Sequence, residues 1–192
     1  MTALHIFDCD GTLLDSMRMW DNISSDYLRS LGIQPPADLA EILDPLTFPE
    51  SVRYLVDHFD LDGYENTSRG LMDRVLWHYE NDLELFPGIQ EELETVSRTG
   101  EPMIILTNSP REFVEAGLQR TGIRHFFSRL FVSQELGISK DNPEIFRVVC
   151  REMSVPPEDA LVYEDSAFAI QAAREAGCRV KEYLSSFSLR RR

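Results

Sequence analysis

Positive charge is scarce in this chain, and lysine is the scarcest part of it. The 192 residues carry 19 Lys plus Arg against 33 Asp plus Glu, a formal net charge of -14, and among the cations only Lys140 and Lys181 are lysines. Such a balance excludes nucleic acid or an anionic membrane as the main partner. Cysteine is sparse too: Cys9, Cys150 and Cys178 are odd in number, scattered and without metal-ligand spacing, which points to a reducing cytoplasm. No apolar run approaches the roughly 20 residues of a membrane helix. Met1 to Leu14 lacks the basic start and small-residue cleavage site of a secretory leader. Internal repeats and low-complexity segments are missing. What remains is a chain of 43% hydrophobic residues with a mean hydropathy of -0.25, long enough for one core carrying a smaller insertion.

The most informative stretch is Ala3 to Ser16, ALHIFDCDGTLLDS. Residues 3–7 read as a short buried strand ended by a turn, so Asp8 and Asp10 fall at its carboxyl end, where open α/β sheets bind ligands. Strand alternation sends both carboxylates to one side and leaves Cys9 opposite as a small buried hydrophobe. Two carboxylates that close need a cation; with one, the pair supplies an ionised nucleophile and a proton carrier. Gly11 suits the tight turn, and the Thr12 hydroxyl is expected to fix a carboxylate rotamer by hydrogen bonding.

Beyond this strand, Ser16 to Leu31, Asp38 to Asp44, Pro49 to Phe59 and Tyr64 to Asp82 read as helices with no strand among them. This block is acidic: residues 16–85 hold 14 acidic and 5 basic side chains. From Pro87 onward helix and strand alternate, with strands at Met103 to Thr107, Leu130 to Val132, Ala160 to Tyr163 and near Val180. That alternation predicts a parallel sheet with helices on both faces. The expected fold is α/β, a Rossmann-like doubly wound parallel sheet (residues 1–15 plus 86–192) with a small α-helical cap (residues 16–85) inserted after the first strand. Asp15-Ser16 and Phe86-Pro87-Gly88 are read as hinges, and Arg190 to Arg192 as a solvated end.

Each of the first four strands ends in polar groups suited to phosphate chemistry. Thr107-Asn108-Ser109 supplies hydroxyls and amides at a helix start, an anion site. Lys140 stands in the loop after the third strand, a compact point charge in an arginine-biased chain. Glu164-Asp165-Ser166 closes the fourth strand. His58 and His78 have no ligand spacing and read as structural, while Trp20, Trp77, Met17 and Met19 read as packing within the helical block. Arg18, Arg53 and Arg111 are read as surface or ion-pair residues, with a distal anionic group of a substrate as the alternative.

In this order and spacing the chain resembles the haloacid dehalogenase-like hydrolases, in their phosphatase and β-phosphoglucomutase-like branch with a helical cap. Counterparts of all four family motifs cover nearly the whole chain: Asp8 to Thr12, Thr107, Lys140 with Pro143 to Phe146, and Glu164-Asp165. The resemblance implies that Asp8 attacks phosphorus to form an aspartyl-phosphate and that Asp10 serves as acid and then base. It implies Mg2+ as cofactor, held by Asp8, the Asp10 carbonyl and Asp165, with Glu164 direct or through water, and Thr107, Lys140 and Asn108 on the phosphoryl oxygens. Ser109 and Thr12 complete the expected phosphate-binding set. One departure stands out: Gly-Lys-Pro is common in the third motif, whereas this chain has Ser139-Lys140-Asp141, with Asp141 placed to pair with Lys140.

The resulting expectation is a cytoplasmic, magnesium-dependent phosphatase of a small phosphorylated metabolite, with a monomer favoured. A phosphomutase using the same residues is the alternative, and a phospho-aspartate signalling or binding module without turnover is the alternative from another class. Dehalogenation is disfavoured by Asp10 and Asp165, because that branch requires neither a proton donor there nor a metal.

Overall fold

The computed structural model describes residues 2–43, 46 and 48–183. Asp44 and the arginines at 190–192 lie outside the described residues. In chain order the elements are β1 (Leu4–Phe7), α1 (Met17–Ser30), α2 (Leu39–Leu43), α3 (Phe48–Phe59), α4 (Gly63–Asn81), α5 (Ile89–Ser97), β2 (Met103–Thr107) and α6 (Arg111–Arg120). They continue with β3 (Arg129–Val132), α7 (Ser133–Leu136), α8 (Glu144–Glu152), β4 (Ala160–Glu164), α9 (Ala167–Ala176) and β5 (Arg179–Glu182). Two compact units result, Met1–Met17 with Asp82–Arg192, and Arg18–Asn81.

The first unit is a parallel five-stranded sheet in the order β3-β2-β1-β4-β5. β1 and β2 are apolar but for His5 and Thr107 and are buried at every position, the signature of central strands covered on both faces. Ile6 lies opposite Ile104 on one side and Val162 on the other, which places β1 at the centre. The chain winds outward from β1 through β2 to β3, then returns to the other side of β1 with β4. That reversal opens a crevice at the carboxyl ends of β1 and β4, the topological switch point of the sheet. β5 is an edge strand carrying Arg179, Lys181 and Glu182, all exposed, and this charge discourages pairing with a foreign strand.

Alternation along the strands sorts side chains between two layers. Leu4, Ile6, Ile104, Leu106, Phe131 and Val162 form one core with Ile145, Phe146 and Val149 of α8 and the alanines of α9. His5 and Phe7 point to the opposite layer, where Phe7 stacks on Tyr163 at 3.9 Å between ring centroids. His5 is buried between the Tyr163 hydroxyl and Glu101, each 2.8 Å away, so its polar ring is satisfied within that layer. On the same face α5 is tied down by Glu92, which accepts from Lys181 at 2.5 Å and from the Tyr183 hydroxyl at 2.7 Å. The sequence reading missed α7, a single turn that closes on Gly137 at φ 66° before the chain reaches Lys140.

The second unit is helical throughout its described elements, α1 to α4. Its longest helix, α4, buries Thr67, Leu71, Val75 and Tyr79, one residue per turn along a single stripe. Trp77 stands about two residues round from that stripe and is 53% exposed, contrary to its expected place in the packing. Hydrophobicity alone did not reveal which side of α4 it occupies. His58 stacks on Tyr54 at 3.9 Å and bonds the Tyr54 carbonyl through Nδ1, consistent with a structural residue. Among the described residues no helix is long and apolar enough to cross a membrane.

Gly70 explains how α1 approaches α4. A Cβ built there would sit 2.6 Å from Tyr27 Cε2 and 3.0 Å from its hydroxyl, so the ring occupies the space a side chain would need. Helix propensity alone makes Gly70→Ala stabilising by about 1 kcal/mol; the clash reverses the sign and costs about 1–3 kcal/mol. Urea unfolding of Gly70→Ala is therefore expected to show a loss of stability. In a Tyr27→Ala background the same change is expected to be neutral or stabilising.

Candidate active site

The carboxyl ends of β1, β2 and β4 and the loop after α7 converge on a buried group of charges. Asp8 follows β1 directly, its amide bonded to the Tyr163 carbonyl at 2.9 Å, which locks the end of β1 to β4. The chain then turns tightly: Leu13 and Leu14 amides both reach the Cys9 carbonyl at 2.9 Å, and the Gly11 amide bonds the Leu14 carbonyl. Gly11 makes the turn at φ 85°, and a Cβ on it would lie 2.5 Å from Asp165 Oδ2. Glycine is thus required here twice, for backbone angle and for room beside a carboxylate.

Lys140 is 2% exposed and places its ammonium 2.6 Å from Asp8 Oδ1 and 2.6 Å from Glu164 Oε2. Glu164 is held in turn by the Asp165 and Ser166 amides, which donate to its Oε1 at 3.2 and 3.1 Å. Asp141, the expected competitor for Lys140, is exposed; the ammonium meets Asp8 and Glu164 instead. Burial by itself would drive Lys140 toward its neutral form, but the two carboxylates outweigh it and raise its pKa above the ordinary lysine value. Asp8 moves the other way from a usual ion-paired acid. Burial first, then the Glu164 charge, push its carboxyl up to about 7 against the opposing pull of Lys140.

Asp8, Glu164 and Asp165 bring carboxylate oxygens within 4.8 Å of one another. Three such acids face a single buried ammonium, which does not offset the burial and the Glu164 charge that raise the Asp8 carboxyl. A hard divalent cation fits an oxygen set of this kind, and the space that a Gly11 side chain would fill lies against it.

Asp10 is not in that group. Its carboxylate turns aside and accepts from Ser16 Oγ at 2.6 Å through one oxygen and from Ser109 Oγ at 2.5 Å through the other. Sequence reading placed Ser109 among phosphate-binding residues and Ser16 only at a hinge and the start of a helix. Thr12 was expected to hold a carboxylate, yet its hydroxyl is buried without a hydrogen-bond partner among the described residues. Thr107 is buried at the end of β2 and its Oγ1 accepts the Ser109 amide at 3.0 Å, while Asn108 between them is exposed. Arg111 is an ion-pair residue, bound to Glu135 through Nε at 2.9 Å and Nη2 at 2.6 Å, and to the Leu130 carbonyl. In the helical unit, the Arg53 guanidinium lies 5.9 Å from the Tyr64 ring centre and Arg18 is exposed.

This arrangement has relatives. The sequence profile of the family described as Haloacid dehalogenase-like hydrolase matches residues 5–182. A phosphoglycolate phosphatase of Pasteurella multocida is 35% identical, over 91% of this chain and 82% of its own length. A phosphorylated carbohydrates phosphatase of Thermotoga maritima is 25% identical, over 90% of this chain and 80% of its own. Among solved structures, CbbY of Rhodobacter sphaeroides in complex with phosphate superposes with a TM-score of 0.75 at 25% identity, covering 96% of this chain and 88% of that one. The chain belongs to the haloacid dehalogenase-like hydrolases, and within them it is a phosphoric monoester hydrolase.

Proposed function

We propose that this protein is a magnesium-dependent phosphatase that cleaves a small phosphorylated metabolite through an aspartyl-phosphate on Asp8. The observation that carries the reading is the buried junction of Asp8, Lys140, Glu164 and Asp165 at the switch point of the sheet. The named activities of the relatives, on phosphoglycolate and on phosphorylated carbohydrates, support the substrate class. Residues 1–15 plus 86–192 form the catalytic core in this reading. The helical insertion at 16–85 is the cap that selects the substrate, in the cytoplasm.

In the first half-reaction an Asp8 carboxylate oxygen bonds to phosphorus as the bond to the ester oxygen breaks, and Asp10 gives its proton to the departing alkoxide. In the second, water attacks phosphorus, Asp10 takes a proton from it, and the bond from Asp8 to phosphorus breaks to release phosphate. Ser16 and Ser109 hold the Asp10 carboxylate by its two oxygens and so limit where its proton can be delivered. Lys140 keeps its charge and steadies the Asp8 oxygen it bonds, while Thr107 and the Asn108 amide stand at the end of β2 to receive phosphoryl oxygens. Asp8, the Asp10 carbonyl and Asp165, with Glu164 direct or through water, are the residues that would hold magnesium. Its chemistry there is to neutralise charge on the phosphoryl oxygens and on the acids themselves.

Asp8→Asn is expected to abolish phosphate release in the presence of magnesium, and Asp10→Asn to lower it by about 10²–10⁴. Colorimetric assay against a panel that includes phosphoglycolate and sugar phosphates measures both, and unchanged turnover in Asp8→Asn defeats the proposal. The same panel in isotope-labelled water separates hydrolase from phosphomutase, because only the hydrolase transfers solvent oxygen to released phosphate.

The raised Asp8 carboxyl sets a pH dependence with a definite sign. Without magnesium, folding favours protonated Asp8; this contribution is complete below the unfolded carboxylate's pKa near 4 and is lost as pH rises through about 7. Magnesium requires the ionised form, so its apparent affinity is expected to fall about tenfold for each pH unit below 7. Calorimetric titration between pH 5.5 and 7.5 checks this, and an affinity that does not change across the range contradicts it.

A further inference from the structure

The second unit holds a cleft outside the proposed phosphate chemistry. Its α3 and α4 are joined by residues 60–62 alone, and the turn is closed by the Gly63 amide on the Leu61 carbonyl at 2.7 Å. A cavity of about 390 Å³ lies beside this turn, lined by Arg53, Val56 and Asp57 of α3 and by Tyr64 and Glu65 in the first turn of α4. That volume is in the range of small-molecule sites. Spacings of three and four residues put the α3 contributors on one helix face. All five residues lie within Arg18–Asn81, so the cleft belongs to this unit by itself.

The charges around the cleft are opposite in sign, yet they do not meet. Arg53 stands one helical turn from Asp57, the spacing of a helix ion pair, but its guanidinium lies over Tyr64 instead, 5.9 Å from the ring centre. Among the described residues no ion pair joins Arg53, Asp57 or Glu65 to another side chain. Val56 and the half-buried Tyr64 ring add an apolar wall. A phosphate ester is a poor occupant, because two acids against one cation repel a dianion. A plain cation would leave Arg53 facing it. An occupant that carries both charges and no net charge satisfies each side.

We propose that this cleft binds a small zwitterion with an apolar body, a free α-amino acid bearing an aliphatic side chain. Its carboxylate accepts from the Arg53 guanidinium, its ammonium donates to Asp57 and Glu65, and its side chain lies against Val56 and the Tyr64 ring. No covalent bond is made or broken. The ligand bridges α3 and α4, so binding stabilises the folded chain by mass action. The site stands or falls independently of any reading of Asp8.

Calorimetric titration of the full-length protein with L-leucine, together with thermal unfolding at rising leucine concentration, tests the proposal. Saturable binding at a single site per chain is expected, with a melting temperature that climbs as leucine is added. 4-Methylpentanoate lacks the ammonium and 3-methylbutylamine lacks the carboxylate; each is expected to bind at least about tenfold more weakly, having lost a charge-assisted hydrogen bond. Arg53→Gln, and Asp57→Asn combined with Glu65→Gln, are expected to weaken leucine by about the same factor. All three side chains are exposed, so these variants are expected to melt near the native temperature when leucine is absent. Glu80→Gln, which removes an exposed acid near the other end of α4, is expected to leave leucine binding unchanged. No saturable binding up to about 10 mM leucine, equal affinity for an analogue lacking one charge, full affinity in Arg53→Gln, or a matching loss in Glu80→Gln would overturn the proposal.

Discussion

A single ammonium organises the carboxyl edge of the sheet. Lys140 sits nearly without solvent, 2.6 Å from Asp8 and 2.6 Å from Glu164, and it joins the end of β1 to the end of β4 across the crevice of the sheet. Charges so deeply buried are tolerated only when paired, and removing one partner of such a pair leaves an uncompensated ion that costs several kcal/mol. The rest of the local architecture serves that arrangement. β1 is buried along its length at the centre of the sheet, Gly11 leaves room beside Asp165, and the short α7 with Gly137 precedes the loop of Lys140.

The cluster is balanced toward the negative, and this imbalance links structure to chemistry. Burial first and the Glu164 charge second raise Asp8 to about 7 against the pull of Lys140, a poor state for the proposed nucleophile. Asp10 lies outside the cluster, its carboxylate held by two serine hydroxyls, so neighbouring acids of the same short motif face different environments. Acids set apart by their surroundings in this way suit the two roles proposed for them, an attacking group and a proton carrier.

Much of the core was legible because buried parallel strands are short apolar runs and their turns carry Gly, Asp and Ser. The parallel sheet, the position of Asp8 at the end of β1, and the helical run between Ser16 and Asp82 all follow from local patterns. What escaped was set by contacts between distant residues. Ser16 and Ser109 meet only because β1 and β2 are neighbours, and nothing in the spacing of either serine announces Asp10 as their partner. Asp141 looked like a rival for Lys140 because adjacency in sequence was the available clue; the loop turns the two side chains to different environments. Cys150 and Cys178 appeared scattered, yet both are buried in the core that α8 and α9 share on one face of the sheet. Trp77 misled in the opposite sense, since a large apolar residue on a helix reads as core until the buried stripe of α4 is located.

The central claim is that Asp8 itself carries the phosphoryl group during turnover. The most direct measurement is acid quench of the protein in the presence of magnesium and a turned-over phosphate ester, borohydride reduction of any acyl phosphate, and peptide mass spectrometry. The account predicts conversion of the side chain at position 8, and of no other acid, to the homoserine alcohol, rising and then decaying as substrate is consumed. Turnover without any reducible acyl phosphate, or with one on an acid other than Asp8, would contradict it.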